Sequence, residues 1–162
     1  MSVKKVVIWH ASLNAVKAAF EDLEDDSALE ELEFLLIECE EHKYSLNLSG
    51  IFKRLRSLRL ECDDICDDSA KSIAYFLRDN SSLENFHLRS EQLTDHGATT
   101  IAESLRTNSA LKQFTIHHEK LTSKSIVAFA ETLVVNSTLE VVDLHKIDMK
   151  DEDMLPLFEE ER

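Results

Sequence analysis

The sequence is poor in the residues that build flexible loops and covalent cross-links. Its 162 residues include two glycines, one proline and three cysteines. With only Gly50 and Gly97 available, the chain has no glycine-rich phosphate-binding loop and no dinucleotide-binding pattern, because both motifs need several glycines. So little glycine and proline also leaves no candidate for a linker, and we expect a single domain over residues 1–162.

Long apolar runs and an excess of positive charge are also missing. No apolar run approaches the roughly 18 residues of a membrane span, and Val6–Trp9 is too short for the core of a signal peptide. Lys and Arg number 18 against 32 Asp and Glu, which gives a formal net charge of −14. This balance argues against nucleic acid or a membrane surface as the partner and favours a basic protein. Sparse cysteines favour a reduced, intracellular (cytoplasmic) setting.

What the chain does contain is an internal repeat. Leucines recur at one constant interval, and each opens an apolar pattern at positions one, four, six and eleven: Leu55, Leu83, Leu111 and Leu139. Looser copies of the pattern begin at Val3 and Leu29, where the interval is slightly shorter. We therefore expect six units, starting near residues 3, 29, 55, 83, 111 and 139.

Within each unit the apolar spacing changes from that of a strand to that of a helix. Alternation such as Leu58-Arg59-Leu60 has the two-residue period of a strand, and the later steps of three and four indicate one face of a helix. The expected buried stripes are Ala70, Ile73, Ala74 and Leu77; Ala98, Ile101, Ala102 and Leu105; and Ile126, Phe129, Ala130 and Leu133. Weaker stripes are expected at Val16, Ala19, Phe20 and Leu23 and, in a truncated last unit, at Met154, Leu157 and Phe158, whereas residues 40–54 are irregular.

Polar residues predict where the helices begin and end. Thr94 and Thr122 supply N-cap oxygens just before two of the stripes. An asparagine recurs three positions before the next leading leucine, at Asn80, Asn108 and Asn136. Because asparagine tolerates the left-handed conformation that ends many helices, we assign these positions as the C-cap turns of the helices.

The pattern resembles the leucine-rich repeat family, in its ribonuclease-inhibitor-like subclass. The motif L-x-x-L-x-L with an apolar residue at position 11 matches strongly from Leu55 to Met149 and weakly before it. The resemblance implies an α/β solenoid, a segment of a right-handed horseshoe with a parallel sheet on the concave side and helices on the convex side. The family's usual Asn or Cys at position 9 is replaced here, so its asparagine ladder is missing and wider turns are expected at Ala11, Ile37, Asp63, Glu91, Glu119 and Ile147.

Stacked units would align the polar strand residues in columns on the concave face. We expect Glu33 beside Arg59 and Glu61 beside Arg89, two pairs of opposite charge that keep the surface soluble or contact a ligand. Trp9 either covers an exposed terminal strand or anchors a partner. The partner-binding residues expected on this face are Trp9, Glu33, Arg59, Glu61, His87, Arg89, His117, Asp143 and His145.

Histidines give this face its one candidate for metal chemistry. His117 and His145 are expected in one column, with His87 diagonal to them and His118 next to them. Two imidazoles on neighbouring strands can chelate a divalent ion with help from Asp143, respond to pH, or simply contact a partner. No motif fixes a third ligand, and the Cys62-x3-Cys66 spacing lacks a second pair, so no metal or cofactor is assigned.

Acidic residues are concentrated near the N-terminus. Residues 21–41 contain eleven Asp or Glu and no Lys or Arg, whereas residues 43–59 contain five basic residues and no acid. These charges either neutralise one another between neighbouring units or form an acidic docking patch for a basic partner.

No catalytic motif is present, so we expect a non-catalytic protein-binding module that uses its concave face or rim. Two alternatives remain open. One is a regulator of enzyme activity, either an inhibitor of a basic enzyme or a GTPase activator, and the other is a metal- or pH-responsive binder. We expect a monomer or a weak dimer formed edge to edge.

Overall fold

A computed structural model of the protein describes residues 4–9, 30–35, 55–118 and 120–146, with backbone alone at 34 and 35. The described residues form six strands, β1 (Lys5–Trp9), β2 (Glu31–Leu35), β3 (Ser57–Glu61), β4 (Asn85–Arg89), β5 (Gln113–His117) and β6 (Val141–His145). They also form three helices, α1 (Asp67–Asp79), α2 (Asp95–Leu105) and α3 (Ser123–Val135). The strands make one parallel sheet in chain order, and strand and helix alternate from β3 to β6.

The strand register follows the repeat. The interval between strand starts is constant from β3 to β6 and slightly shorter from β1 to β3, as the leading apolar residues predict. Each strand pairs with the next without an offset. Leu58, Phe86, Phe114 and Val142 consequently occupy one row across the sheet. A slip of one residue would turn this row towards solvent, so burial of the row fixes the register.

The core lies between the sheet and the helices. The stripes predicted for α1 and α2 are confirmed, since all eight of their residues are buried. Phe114 links three elements, because its ring centroid lies 5.7 Å from that of Phe86 and 5.3 Å from that of Phe129. Each such ring contributes roughly 1.5–3 kcal/mol through burial, and here the rings join neighbouring units.

The stripe predicted for α3 is wrong in part. Phe129 is buried and Ile126 is half-buried, but Ala130 and Leu133 are exposed. The helix instead buries Ser125, Phe129 and Thr132. Helix α1 packs against α2 and α2 against α3, whereas no further helix of the described part covers α3. The stripes predicted at 16–23 and 154–158, and the irregular stretch 40–54, lie outside the described residues.

Aspartates near the helix starts tie each helix to the next one. Thr94 and Thr122 are N-caps, as predicted. Asp67 of α1 accepts hydrogen bonds from Thr94 N (2.9 Å), Thr94 Oγ1 (2.6 Å) and Gly97 N (3.1 Å). Asp95 of α2 accepts them from Thr122 N (2.9 Å), Thr122 Oγ1 (2.7 Å) and Ser125 Oγ (2.5 Å). This aspartate ladder, Asp67 and Asp95, also places negative charge at helix N-termini, where the helix dipole favours it.

Asn80 and Asn136 are the C-caps of α1 and α3, as predicted, whereas α2 is capped by Arg106 instead of Asn108. The left-handed conformation expected at these caps is wrong. The backbone is extended at Asn80 (φ −83°) and Asn136 (φ −85°). Asn108 Oδ1 accepts from Ala110 N and Leu111 N, while Asn108 Nδ2 donates to Leu77 O (2.6 Å) and Asn80 O (3.1 Å) of the preceding unit. Asn136 repeats the arrangement with Leu105 O and Asn108 O. Asn80, Asn108 and Asn136 therefore form an asparagine ladder that lies before the strands and depends on the side-chain amide.

In two of the described turns that follow a strand, the side chain at position 8 of the unit makes the hydrogen bonds, instead of the one at position 9. Ser90 Oγ donates to Ile65 O (2.6 Å) and accepts from Gln92 N (3.1 Å). In the following unit, His118 occupies position 8, and its Nδ1 atom accepts a hydrogen bond from Lys120 N (2.8 Å). His118 adjoins the histidine column, as expected, because its backbone N–H donates to His145 O (3.2 Å), but its side chain is buried.

Candidate functional site

The sheet side opposite the helices, which we call the open face, carries the residues expected to contact a partner. The register aligns them in three columns, as the constant repeat spacing predicts. These are Lys5, Glu31, Ser57, Asn85, Gln113 and Val141; Val7, Glu33, Arg59, His87, Thr115 and Asp143; and Trp9, Leu35, Glu61, Arg89, His117 and His145.

At the end of the open face formed by β1 and β2, ion pairs lie beside an exposed tryptophan. Lys5 Nζ lies 2.5 Å from Glu33 Oε1 and 3.6 Å from Glu31 Oε2. The hydrogen bond to Glu33 is the main reason that the pKa of Lys5 is raised. Glu33 lies beside Arg59 in the register, as predicted, but the two do not form an ion pair, because Glu33 pairs with Lys5 and Arg59 pairs with Glu61. Trp9 is 61% exposed at the same end.

Glu61 is the anionic centre of the open face. Arg59 Nε donates to Glu61 Oε1 at 2.7 Å, and a second guanidinium nitrogen of Arg59 contacts the same oxygen. Arg89 Nη1 lies 3.7 Å from Glu61 Oε2, as the predicted pair requires, and His87 Nε2 lies 3.7 Å from Glu61 Oε1. Two guanidinium groups and an imidazole thus surround one carboxylate whose side chain is only 12% exposed.

His87 is a half-buried histidine of the open face. Its Nε2 atom is buried and has no hydrogen-bond partner in the described part of the chain. Burial, followed by the charge of Arg59, lowers the pKa of His87, while the charge of Glu61 opposes this shift and those of His117 and His145 add to it. The imidazole is therefore neutral near pH 7.

His117 and His145 lie side by side, as predicted, with ring centroids 5.8 Å apart and ring planes inclined by 46°. His145 Nε2 is 2.9 Å from Asp143 Oδ2, which orients this ring. In residues 4–9, 30–35, 55–118 and 120–146, no group of three or more His, Cys, Asp or Glu is arranged to hold a metal ion. Cys62 is buried and Cys66 is the N-cap of α1, so these cysteines lie in the strand-to-helix connection.

A row of alternating charges borders the open face. Its residues were not among those predicted to contact a partner. Position 2 of each unit is charged, with the sign changing from unit to unit: Lys4, Glu30, Arg56, Glu84, Lys112 and Glu140. Backbone hydrogen bonds of 2.8–2.9 Å connect each member to the next. Glu84 contacts Arg56 at 3.0 Å and Lys112 at 2.8 Å, and the hydrogen bond from Lys112 is the main cause of its lowered pKa. We call these six residues the charged row; the sign alternation was visible in the sequence.

Between β3 and β6 the open face is not acidic, although the chain as a whole is. From β3 to β6 it carries two arginines and three histidines against two carboxylates, those of Glu61 and Asp143. The acidic stretch 21–41 lies outside the described residues except for 30–35. The docking patch expected there therefore stays a prediction.

Comparison with known proteins adds no relative. The chain matches no protein-family model and no curated protein. Among the described residues, no helix is both long and apolar enough to cross a bilayer.

Proposed function

We propose that the chain is a leucine-rich repeat domain of the ribonuclease-inhibitor-like subclass and that it acts as a non-catalytic module that binds another protein. Support for the fold comes from the regular apolar repeat together with the parallel, repeat-like sheet and the helices stacked on one side of it. In such an arrangement the open face is the concave surface on which a partner lies.

The observation that carries the functional proposal is the composition of the open face. It displays an exposed tryptophan, two arginines and three histidines in the regular columns of a parallel sheet. Trp and Arg are among the residues that contribute most to protein–protein binding energy. The side chains that stabilise the fold lie elsewhere, in the core and the two ladders, so a partner can use this face without disrupting the fold.

The size of the face indicates that its border takes part. Six strands at a spacing of about 4.8 Å and five residues at about 3.3 Å each span roughly 29 by 16 Å, or about 450 Å² in projection. A standard interface buries about 800 Å² on each partner. We therefore expect a partner to contact the charged row as well as the open face.

The proposal is tested by comparing what two matched variants capture from a lysate of the source cells. One variant reverses two open-face charges (Arg59→Glu with Arg89→Glu). The control reverses two exposed charges on the helical side, Arg106→Glu with Lys124→Glu. Both lower the net charge equally, and circular dichroism establishes that both remain folded.

We expect quantitative mass spectrometry to find at least one protein that both the wild type and the control variant capture. The open-face variant should bind this protein with an affinity that is lower by about tenfold or more, which corresponds to a loss of roughly 1.4 kcal/mol. If the two variants capture every protein equally well, or lose the same proteins, the open face is not the binding surface.

A further inference from the structure

We infer that the open face from β3 to β6 recognises a carboxylate-rich segment of its protein partner and binds that segment more tightly as the pH falls. This inference rests on the proposed function and narrows it to a partner with acidic chemistry. The residues involved, which we call the basic patch, are Arg59, His87, Arg89, His117 and His145. The net charge of the chain suggests a basic partner, but the charges of the patch itself point the other way.

Arg89 provides the group best placed to bind a ligand carboxylate. Arg59 already takes up Glu61 with a hydrogen bond of 2.7 Å. Arg89 lies 3.7 Å from Glu61 and 3.8 Å from Glu91, both beyond hydrogen-bond distance. Its side chain is 36% exposed, and a guanidinium group can bind a carboxylate through two parallel hydrogen bonds. A ligand carboxylate would therefore complete the hydrogen bonding of Arg89.

The histidines make this interaction sensitive to pH. His87 faces Arg59 and Glu61 on β3, the uncharged Thr115 on β5, and more distantly His117 on β5 and His145 on β6. Asp143, the remaining acid of the patch region, is in contact with His145. With Glu61 shared between two arginines, a protonated His87 has little negative charge to offset it. A bound carboxylate supplies that charge, so binding takes up protons and is stronger at low pH.

Other ligands fit the patch less well. A basic peptide would find only Glu61, which is nearly enclosed and already paired, and Asp143. A nucleic acid would be repelled by a chain with a net charge of −14. A carboxylate-rich protein segment suits the Arg and His donors.

The test uses three peptides, oligo-glutamate, oligo-glutamine and oligo-lysine, titrated into the full chain at low salt and at about pH 7.5 and pH 5.5. Glutamate stays ionised over most of this range because its pKa is about 4.3. We expect oligo-glutamate alone to bind, roughly fivefold more tightly at the lower pH, as a rise of about one unit in the pKa of one histidine on binding requires. A single-stranded oligonucleotide serves as the phosphate control.

Three variants separate the contributions. Arg59→Gln with Arg89→Gln should abolish binding of oligo-glutamate at both pH values. His87→Gln with His117→Gln and His145→Gln should remove the gain at the lower pH, so that the affinities at about pH 5.5 and pH 7.5 become nearly equal. Arg106→Gln with Lys124→Gln removes the same charge as the first variant from the helical side and should behave like the wild type.

Failure to bind oligo-glutamate, equal loss of binding in the helical-side variant, or a preference for oligo-lysine or the oligonucleotide would overturn the inference. None of these results decides the proposed function, which depends on the capture comparison. If a protein is lost only by the Arg59→Glu, Arg89→Glu variant but binds through a basic segment, the module stands and the acidic partner does not.

Discussion

The two ladders and the open face use polar side chains in opposite ways. Asp95 accepts three hydrogen bonds and Asn108 makes four, all to the protein itself. On the open face, Arg89 lies beyond hydrogen-bond distance of its two carboxylate neighbours. Polar residues at different positions of the repeat therefore differ in whether their hydrogen bonds are completed within the chain. Ladder residues hold neighbouring units together, while Arg89 on the face keeps donors that are not used by its carboxylate neighbours.

Replacing a ladder asparagine should show the largest effect on stability. Asn108→Ala removes four hydrogen bonds and leaves the carbonyls of Leu77 and Asn80 without the amide donor of Asn108. At roughly 0.5–1.5 kcal/mol for each bond, we expect a loss of about 3 kcal/mol in the free energy of unfolding, measured with urea. Ser109→Ala, at the exposed neighbouring position, should change it by less than about 0.5 kcal/mol. A loss below about 1 kcal/mol for Asn108→Ala would show that the asparagine ladder does not couple the units.

Replacing a ladder aspartate should come second, with a pH signature. Burial alone would raise the pKa of Asp95, but hydrogen bonds from Ser125 and Thr122 outweigh it and lower the pKa. The associated stability is therefore present above the unfolded value of about 3.9 and lost as the pH falls through the lower folded value. We expect Asp95→Asn to cost roughly 2 kcal/mol near neutral pH.

The aspartate prediction is checked by unfolding the wild type and Asp95→Asn at several pH values. The difference between the two proteins should shrink as the medium becomes more acidic. Asp79→Asn, at an exposed position at the end of α1, is the matched control and should leave stability nearly unchanged. A difference that stays constant down to about pH 2 would mean that the charge of Asp95 is not what holds the cap of α3.

A smaller effect is expected at Gly97, where α2 approaches the aspartate ladder closely. A Cβ atom there would lie 2.5 Å from Asp67 Oδ1 and 2.5 Å from Leu93 Cδ1. Overpacking typically costs about 1–3 kcal/mol, whereas alanine gains about 1 kcal/mol of helix propensity over glycine. We expect Gly97→Ala to lower stability by about 1 kcal/mol, measured by thermal unfolding. An increase in the melting temperature would show that α2 moves away without losing the Asp67 contacts.

The smallest effect on stability should come from the open face. The lowered pKa of His87 means that the unfolded chain binds a proton before the folded one does, so this residue reduces stability as the pH falls below about 6.5. We expect His87→Gln to leave stability within about 0.5 kcal/mol at pH 8 and to make it less dependent on pH between about 6.5 and 5. A steeper dependence in the variant would contradict the assigned direction of the shift.

The sequence was sufficient for the strands, their register and most of the core. An apolar pattern that recurs at a constant interval leaves one way to align Leu58, Phe86 and Phe114 in a row, and the open-face columns follow from it. The stripe of α3 was wrong because the exposure of Ala130 and Leu133 depends on what packs beyond the helix, which its own spacing does not show.

The ladders were missed because their partners are distant in sequence. Asn108 was assigned from its local tendency towards left-handed turns, yet its amide bonds to the carbonyls of Leu77 and Asn80 in the preceding unit. Glu33 and Arg59 are neighbours but do not pair, for a related reason. Long side chains can reach several neighbours, and here Glu33 contacts Lys5 while Arg59 contacts Glu61. The charged row could have been found, because its alternating signs recur at a fixed position of the repeat.

The proposed separation between ladders that hold the fold and a face that binds a partner is tested most directly by backbone amide NMR. The chemical shifts of the labelled protein are mapped with and without a partner from the capture comparison. We predict the largest shifts at Arg59, His87, Arg89 and His117, extending into the charged row, with the three helices unchanged. Shifts confined to residues of α1, α2 and α3, with the strands unaffected, would contradict the assignment of the open face as the binding surface.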